Sequence, residues 1–345
     1  MPMRDDSPNL DLLRALAVIF VVVSHWPFSL PASITYHMQA LGLLGVAIFF
    51  VHTCLVLMLS LRRQTAEFGE RRRAVIFFVR RAFRIFPLSV VVVLTVSLLA
   101  LTGGDSSQPG PSSAQIISNL LLVQNLTGHD SIPAALWSLP FEVQMYLFLP
   151  ALYFISTFGL RSRRYILLLW LMVVASVIVA WRLGWNYHLI KYVPCFIPGV
   201  IAFTQWDSTR RRVSPSVLFS FLLIVAMIYP YFVAKGVSET LLAWPVCLAL
   251  GLLLPVCNDV KSIALSGFGR LIAKYSYGIY LVHGPCIAFT FYYLDSSSTL
   301  IQCAVFVIVC GLLSFIAFHV IERPGVAFGT KISRSLVAKK APMRS

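Results

Sequence analysis

Residues 10–26 read LDLLRALAVIFVVVSHW, an apolar run long enough to enter a bilayer as a helix. The run carries Arg14 and His25, and ionisable side chains at such depth are costly, so we expect them to face protein or water. Eleven residues at about 100° each place both side chains on one helix face, about 16 Å apart along the axis. The pair therefore predicts a functional helix. A snorkelling arginine and an interfacial histidine at its two ends are the alternative interpretation.

The composition extends this interpretation to the whole chain. Of 345 residues, 58% are hydrophobic and only 12% are charged, which indicates an all-α, polytopic transmembrane helix bundle. The 28 basic residues outnumber the 13 acidic ones, but they lie in short clusters between apolar runs. Such clusters are typical of topology signals in a membrane protein surrounded by lipids, and not of nucleic-acid binding.

Apolar runs of about 18 to 24 residues predict about ten spans. They are residues 10–28, 38–60, 84–102, 134–157, 164–182, 187–206, 214–233, 239–257, 270–293 and 299–320. Most basic clusters fall on one side of this arrangement, which predicts that both termini are cytoplasmic. We expect one transmembrane domain over 1–330, with span ten ending at Pro324, and a basic cytoplasmic tail over 331–345. The apolar segment 114–126 is too short to cross and predicts a surface helix.

Before the third span, ERRRAVIFFVRRAFRIFPL (residues 70–88) interleaves arginines with apolar residues. Arg81 and Arg84 are three positions apart and share a helix face at the cytoplasmic end of the span. Two ligands fit this pair, namely anionic lipid headgroups and a phosphate-bearing substrate.

Span four opens with LWSLPFEVQMYLFLP (residues 136–150), and Glu142 is the only acidic residue well inside a predicted span. Glu142 and His25 are expected at similar depth, where a carboxylate on one imidazole nitrogen would leave the other nitrogen free to act as a base. A purely structural ion pair is the alternative. Trp137 and Tyr146, in the same stretch, are candidate substrate-binding residues.

Three further observations concern the remaining spans. Span nine, YSYGIYLVHGP, contains His283, which is either a substrate-binding residue or a packing residue. His52 also lies in mid-span, and Pro194 with Pro198 is expected to break span six. The seven cysteines lack metal-ligand spacing, so we expect no metal site.

Together these motifs resemble the acyltransferase-3 family of multi-spanning enzymes. The resemblance covers residues 10–325 and rests on an ordered set: Arg14 with His25, GVAIFFVHT, RRAFRIFPL, WSLPFE, YSYGIYLVH and IERP. It implies catalytic roles for His25 and Glu142, and binding of acyl-CoA, most simply acetyl-CoA, by Arg14, Arg81 and Arg84. Relatives usually have an aspartate before the FF pair and Ser-Gly after it. Here Ala47 and His52-Thr53-Cys54 stand there, so the resemblance implies no role for that segment.

The resemblance implies transfer of an acyl group from cytoplasmic acyl-CoA to a hydroxyl of an extracytoplasmic glycan or lipid-linked sugar, in a protein of the bacterial inner membrane. Two other functions compete with this one. A transporter or flippase for a glycan or small anion would use Arg14, His25 and Glu142 as a relay. A catalytically silent scaffold would leave the buried histidine and glutamate unexplained.

Overall fold

The computed structural model describes residues 7–26, 32–70, 72–103, 110–159, 162–185, 190–207, 213–294 and 298–338, which are helical apart from short connections. The α-helices are α1 (Pro8–Ser24), α2 (Ala32–Phe68), α3 (Arg73–Gly103), α4 (Ser113–Leu120), α5 (Gln124–Thr127), α6 (Leu139–Tyr146), α7 (Leu149–Phe154), α8 (Arg163–Arg182), α9 (Val193–Gln205), α10 (Pro215–Ala234), α11 (Glu239–Leu253), α12 (Ile263–Tyr293), α13 (Thr299–Ala317) and α14 (Arg323–Ala338). Short 3₁₀ turns span Ala134–Ser138, Ile190–Tyr192 and Leu254–Val256, and π-helical turns span Ile155–Gly159 and Phe318–Glu322.

Six helical segments among the described residues are long and apolar enough to cross a membrane. They are His37–Phe68, Arg73–Thr102, Arg164–Arg182, Pro215–Ala234, Glu239–Val256 and Thr299–Leu336. Ala134–Tyr146 and Leu149–Gly159 add a seventh if together they form one broken span. The chain is thus an all-helical integral membrane protein, but the prediction of ten spans is not confirmed. The helices α1 and α9 have only 17 and 13 residues, and polar residues lower the hydropathy of α12.

Several predicted boundaries were wrong. The first span was predicted over 10–28, but α1 ends at Ser24, so His25 caps this helix and does not lie within it. The span predicted over 134–157 is interrupted after Tyr146, and Pro150 stands in the first turn of the next helix, where proline is tolerated. Pro324 does not end the helix of span ten as predicted, because the π-helical turn Phe318–Glu322 leads directly into α14, and Pro324 lies in the first turn of α14. The segment 114–126, predicted as one surface helix, forms two short helices.

The chain divides into two compact units, and the first comprises Met1–Leu59 and Leu147–Ser276. Its centre is α9, which is buried along most of its length between α8 and α11. The predicted break at Pro198 is absent, since α9 continues through it. Pro198 has no N–H for the carbonyl of Pro194, and the indole N–H of Trp170 donates to that oxygen at 2.9 Å instead.

The second unit comprises Ser60–Tyr146 and Tyr277–Ser345, and in it α14 packs lengthwise on α3. Gly325 and Gly329 permit the close approach, because a Cβ on Gly325 would lie 2.7 Å from the Phe83 carbonyl oxygen and one on Gly329 would lie 2.7 Å from the Phe83 Cβ. The Phe83 and Phe328 rings meet edge to face at 5.3 Å. This packing fixes the position along α3 at which the residues just before α14 lie.

Candidate functional site

In the first unit, Arg14 is hydrogen-bonded to Ser276, near the middle of α12. Its Nε donates to the Ser276 hydroxyl at 2.5 Å, and that hydroxyl donates in turn to the Ala273 carbonyl at 2.8 Å. Ser276 is buried, so the interaction replaces water that the guanidinium would otherwise need. Arg14 therefore faces protein, as expected, and the sequence analysis had not identified Ser276 as its partner.

His52 belongs to the same polar neighbourhood of the first unit. Its buried imidazole hydrogen-bonds the backbone carbonyl of Leu10 and interacts electrostatically with Arg14. His52 of α2 thus lies beside α1. Sequence reasoning placed His52 in mid-span but gave no signal that it faces Arg14.

His25 lies at the exposed carboxyl end of α1. Its Nδ1 is 2.8 Å from the Val21 carbonyl oxygen and 3.2 Å from the Ser24 hydroxyl. A carbonyl oxygen only accepts hydrogen bonds, so Nδ1 carries the proton and, in the neutral ring, Nε2 has the basic lone pair. A backbone carbonyl of α1 itself thus fixes the tautomer, a role that we had predicted for Glu142.

An apolar cavity of about 620 Å³ lies beside α1, between α10 and the residues that lead into α12. Leu12, Ala15, Leu16 and Ile19 form the α1 wall at helical spacing, and among the described lining residues Lys261 is the one with a charged side chain. None of the predicted site residues lines this cavity, so it is separate from the polar face of Arg14.

In the second unit, Glu142 lies in the first turn of α6, where the helix dipole favours a carboxylate. The buried Tyr146 hydroxyl donates to Glu142 Oε1 at 2.5 Å, across one helical turn. The Tyr146 ring also packs edge to face on Phe77 at 6.1 Å. Tyr146 therefore orients the predicted catalytic carboxylate, and an i, i+4 spacing in the sequence was the signal for this pair.

The WSLPFE segment contacts the YSYGIYLVH segment in this unit. The Tyr280 hydroxyl hydrogen-bonds Ser138 at 2.8 Å and donates to the Ala135 carbonyl. His283 is buried, and its Nδ1 is 2.7 Å from the Tyr280 carbonyl, which again makes Nε2 the acceptor of the neutral ring. Trp137 packs edge to face on Phe141 at 6.2 Å. These contacts give His283 and Trp137 clear packing roles, and their predicted substrate contacts stay predictions.

The arginine pair of α3 is close to this cluster. Arg84 Nη1 lies 3.5 Å from Glu322 Oε2, and the Glu322 side chain is 0% exposed against 27% for Arg84. Arg81 interacts electrostatically with the Tyr146 hydroxyl. Sequence reasoning located Glu322 at the end of span ten but missed its pairing with Arg84.

The predicted site residues are divided between the units. Arg14 and His25 belong to the first unit, whereas Arg81, Arg84, Glu142 and the three candidate substrate contacts belong to the second. The pairing of His25 with Glu142 stays a prediction.

The comparison with known families decides the class of protein. The acyltransferase-3 family, which is described as an acyltransferase domain, matches residues 7–320. The chain belongs to this family. The acyltransferase-3 match confirms the resemblance seen in the motifs, and the chain therefore carries an acyltransferase domain of the class that transfers groups other than aminoacyl groups.

Two curated acyltransferases are similar to it. Peptidoglycan O-acetyltransferase OatA of Listeria monocytogenes is 26% identical over 92% of this chain and 55% of its own length, so the chain spans about half of that relative. Putative acetyltransferase ORF330 of Acidianus two-tailed virus is 24% identical over 81% of this chain and 83% of its own length. No solved structure matches the chain significantly.

Proposed function

We propose that this protein is a membrane O-acyltransferase that moves an acyl group, most simply acetyl, from cytoplasmic acyl-CoA to a hydroxyl of an extracytoplasmic glycan or lipid-linked sugar. The acyltransferase-3 match over residues 7–320 carries the proposal. Both curated relatives are named as acetyltransferases, and one is named for a glycan, which favours an enzyme over a transporter. A cytoplasmic donor side agrees with basic clusters at the predicted inner ends of the spans.

In the proposed reaction His25 Nε2 takes the proton of the acceptor hydroxyl as its oxygen attacks the thioester carbonyl. The new C–O bond forms, the C–S bond breaks, and the CoA thiolate leaves and is protonated by the imidazolium. The alternative is a covalent route, in which Nε2 first attacks the thioester, so that a C–N bond forms and the C–S bond breaks, and the acceptor oxygen then forms the C–O bond as the C–N bond breaks and the hydroxyl proton passes to the leaving CoA thiolate. The Val21 carbonyl supports both routes, because it keeps the proton on Nδ1.

Donor binding is assigned to Arg14, Arg81 and Arg84, and orientation of the reacting groups to Glu142. A guanidinium is suited to phosphate oxygens because its planar fork donates two parallel hydrogen bonds. We place the enzyme in the bacterial inner membrane, with both termini cytoplasmic.

The test is acetyl transfer by purified protein in lipid nanodiscs, with radiolabelled acetyl-CoA and a glycan acceptor. Wild-type protein should label the glycan, and His25→Ala should lose at least about a hundredfold in rate, the lower range for removal of a general base. His129→Ala is the matched control, since His129 is a loop histidine that hydrogen-bonds Thr127. Equal rates for His25→Ala and wild type would exclude the mechanism, and no labelling by wild type would exclude the function.

A further inference from the structure

Glu322 is a buried carboxylate that contacts Arg84 and has no role in the proposed reaction. Glu322 Oε2 lies 3.5 Å from Arg84 Nη1, and no part of the Glu322 side chain is exposed. Burying a carboxylate is costly, and replacing a buried ion pair by apolar residues is often neutral or stabilising. Stability is therefore a poor explanation for a fully buried glutamate against a partly exposed arginine.

The backbone around Glu322 determines where its side chain lies. Glu322 is the last residue of the π-helical turn Phe318–Glu322, which separates α13 from α14. Such turns insert an extra residue into a helix, re-aim the side chains that follow and often occur at functional sites. Three residues later, the close contact of Gly325 with the Phe83 carbonyl fixes this part of the chain against α3. Arg84 directly follows Phe83, so the same contact fixes the position of Glu322 relative to Arg84.

The Arg84 guanidinium retains the capacity to bind a further anion. It has five N–H donors in a planar fork, Nη1 faces Glu322, and 27% of the side chain is exposed. A carboxylate on one edge of the fork restricts rotation and directs the remaining donors. Preorganisation of this kind increases affinity because less conformational freedom is lost on binding.

We propose that Glu322 is a positioning residue, whose buried carboxylate orients the Arg84 guanidinium toward a phosphate group of the acyl-CoA donor. This inference rests on the proposed function, in which Arg84 binds the donor. A phosphate is also present in anionic lipid headgroups, so the experiment must distinguish the two sources.

The experiment measures coenzyme A binding to the full chain in nanodiscs, together with acetyl transfer. Glu322→Gln should weaken coenzyme A binding and raise the acetyl-CoA KM by about tenfold, with kcat within twofold of wild type. Glu67→Gln is the matched control. Glu67 lies 3.9 Å from both Arg80 and Arg334 and is 46% exposed, so this variant should bind coenzyme A as wild type does.

A double variant separates positioning from a general loss of structure. Arg84→Ala should lower the melting temperature, because it removes the Arg84 charge from beside the buried Glu322 carboxylate. Adding Glu322→Gln should recover melting temperature but cause no further loss of coenzyme A affinity. Arg84→Lys keeps the positive charge and the fold, yet should still weaken binding because the planar fork is lost.

Three outcomes would overturn the inference. The first is that Glu322→Gln binds coenzyme A with unchanged affinity. The second is that the losses of coenzyme A affinity in the two single variants add up in the double variant. The third is that Glu322→Gln changes the retention of phosphatidylglycerol but not the binding of coenzyme A. Measurements in nanodiscs with and without phosphatidylglycerol distinguish a lipid phosphate from a coenzyme A phosphate. We expect Glu322→Gln to lose coenzyme A affinity in both kinds of nanodisc. If wild type binds coenzyme A through this pair but transfers no acetyl group, the proposed function fails and the positioning role stands.

Discussion

Replacing Tyr146 by phenylalanine tests whether the carboxylate of Glu142 takes part in the reaction. The substitution removes the hydroxyl that donates to Glu142 at 2.5 Å and keeps the aromatic ring that packs on Phe77. A hydrogen bond to a charged group contributes about 1.5–3 kcal/mol, equivalent to about 10-fold to 150-fold in rate. Glu142 is only half-buried, so water can partly replace the phenol, and the lower end of this range applies.

We therefore expect kcat for acetyl transfer to fall about tenfold in Tyr146→Phe, with the acetyl-CoA KM unchanged within about twofold. Steady-state rates with radiolabelled acetyl-CoA measure this, and thermal melting in the same nanodiscs checks the fold. Tyr231→Phe is the matched control, because Tyr231 lies in α10 and is 53% exposed. A kcat within twofold of wild type would refute the idea that Tyr146 prepares Glu142 for the chemistry.

Three further predictions concern other parts of the molecule. Ser276→Ala should reduce transfer about tenfold at unchanged protein yield, because it removes the acceptor of the Arg14 Nε–H; Ser276→Thr, which keeps a hydroxyl, should recover part of the rate, and equal rates for both would contradict this. Gly325→Leu should lower the melting temperature by several degrees, because its Cβ would meet the Phe83 carbonyl oxygen at 2.7 Å; an unchanged melting curve would show that α14 can shift at no cost. Ala66 is exposed, and a cysteine placed there should react with a membrane-impermeant maleimide only after the cells are permeabilised. The parental chain gives the background labelling, and labelling of Ala66→Cys in intact cells would contradict the predicted orientation.

Sequence reasoning was most accurate where a helix has uniform apolar character and polar ends. The span predicted over 164–182 is α8 (Arg163–Arg182), and the span predicted over 214–233 is α10 (Pro215–Ala234). It failed where helices continue beyond the apolar run. The span predicted over 270–293 is the later part of α12, which already begins at Ile263, and α14 (Arg323–Ala338), which is strongly amphipathic, follows the span predicted over 299–320. Such polar helical turns are stabilised by tertiary packing and give no transmembrane signal.

The sequence by itself determined the membrane class, the family and the candidate reactive residues, because apolar run length and ordered motifs are local properties of the chain. It also contained the spacing that pairs Tyr146 with Glu142, since residues four apart share a helix face. Only the tertiary structure decided that Arg14 is bound to Ser276, 262 positions away, and that Arg84 faces a fully buried Glu322. Partners so distant in sequence are selected by how the helices pack, and the side-chain contacts that fix this packing are not encoded in any single run of residues.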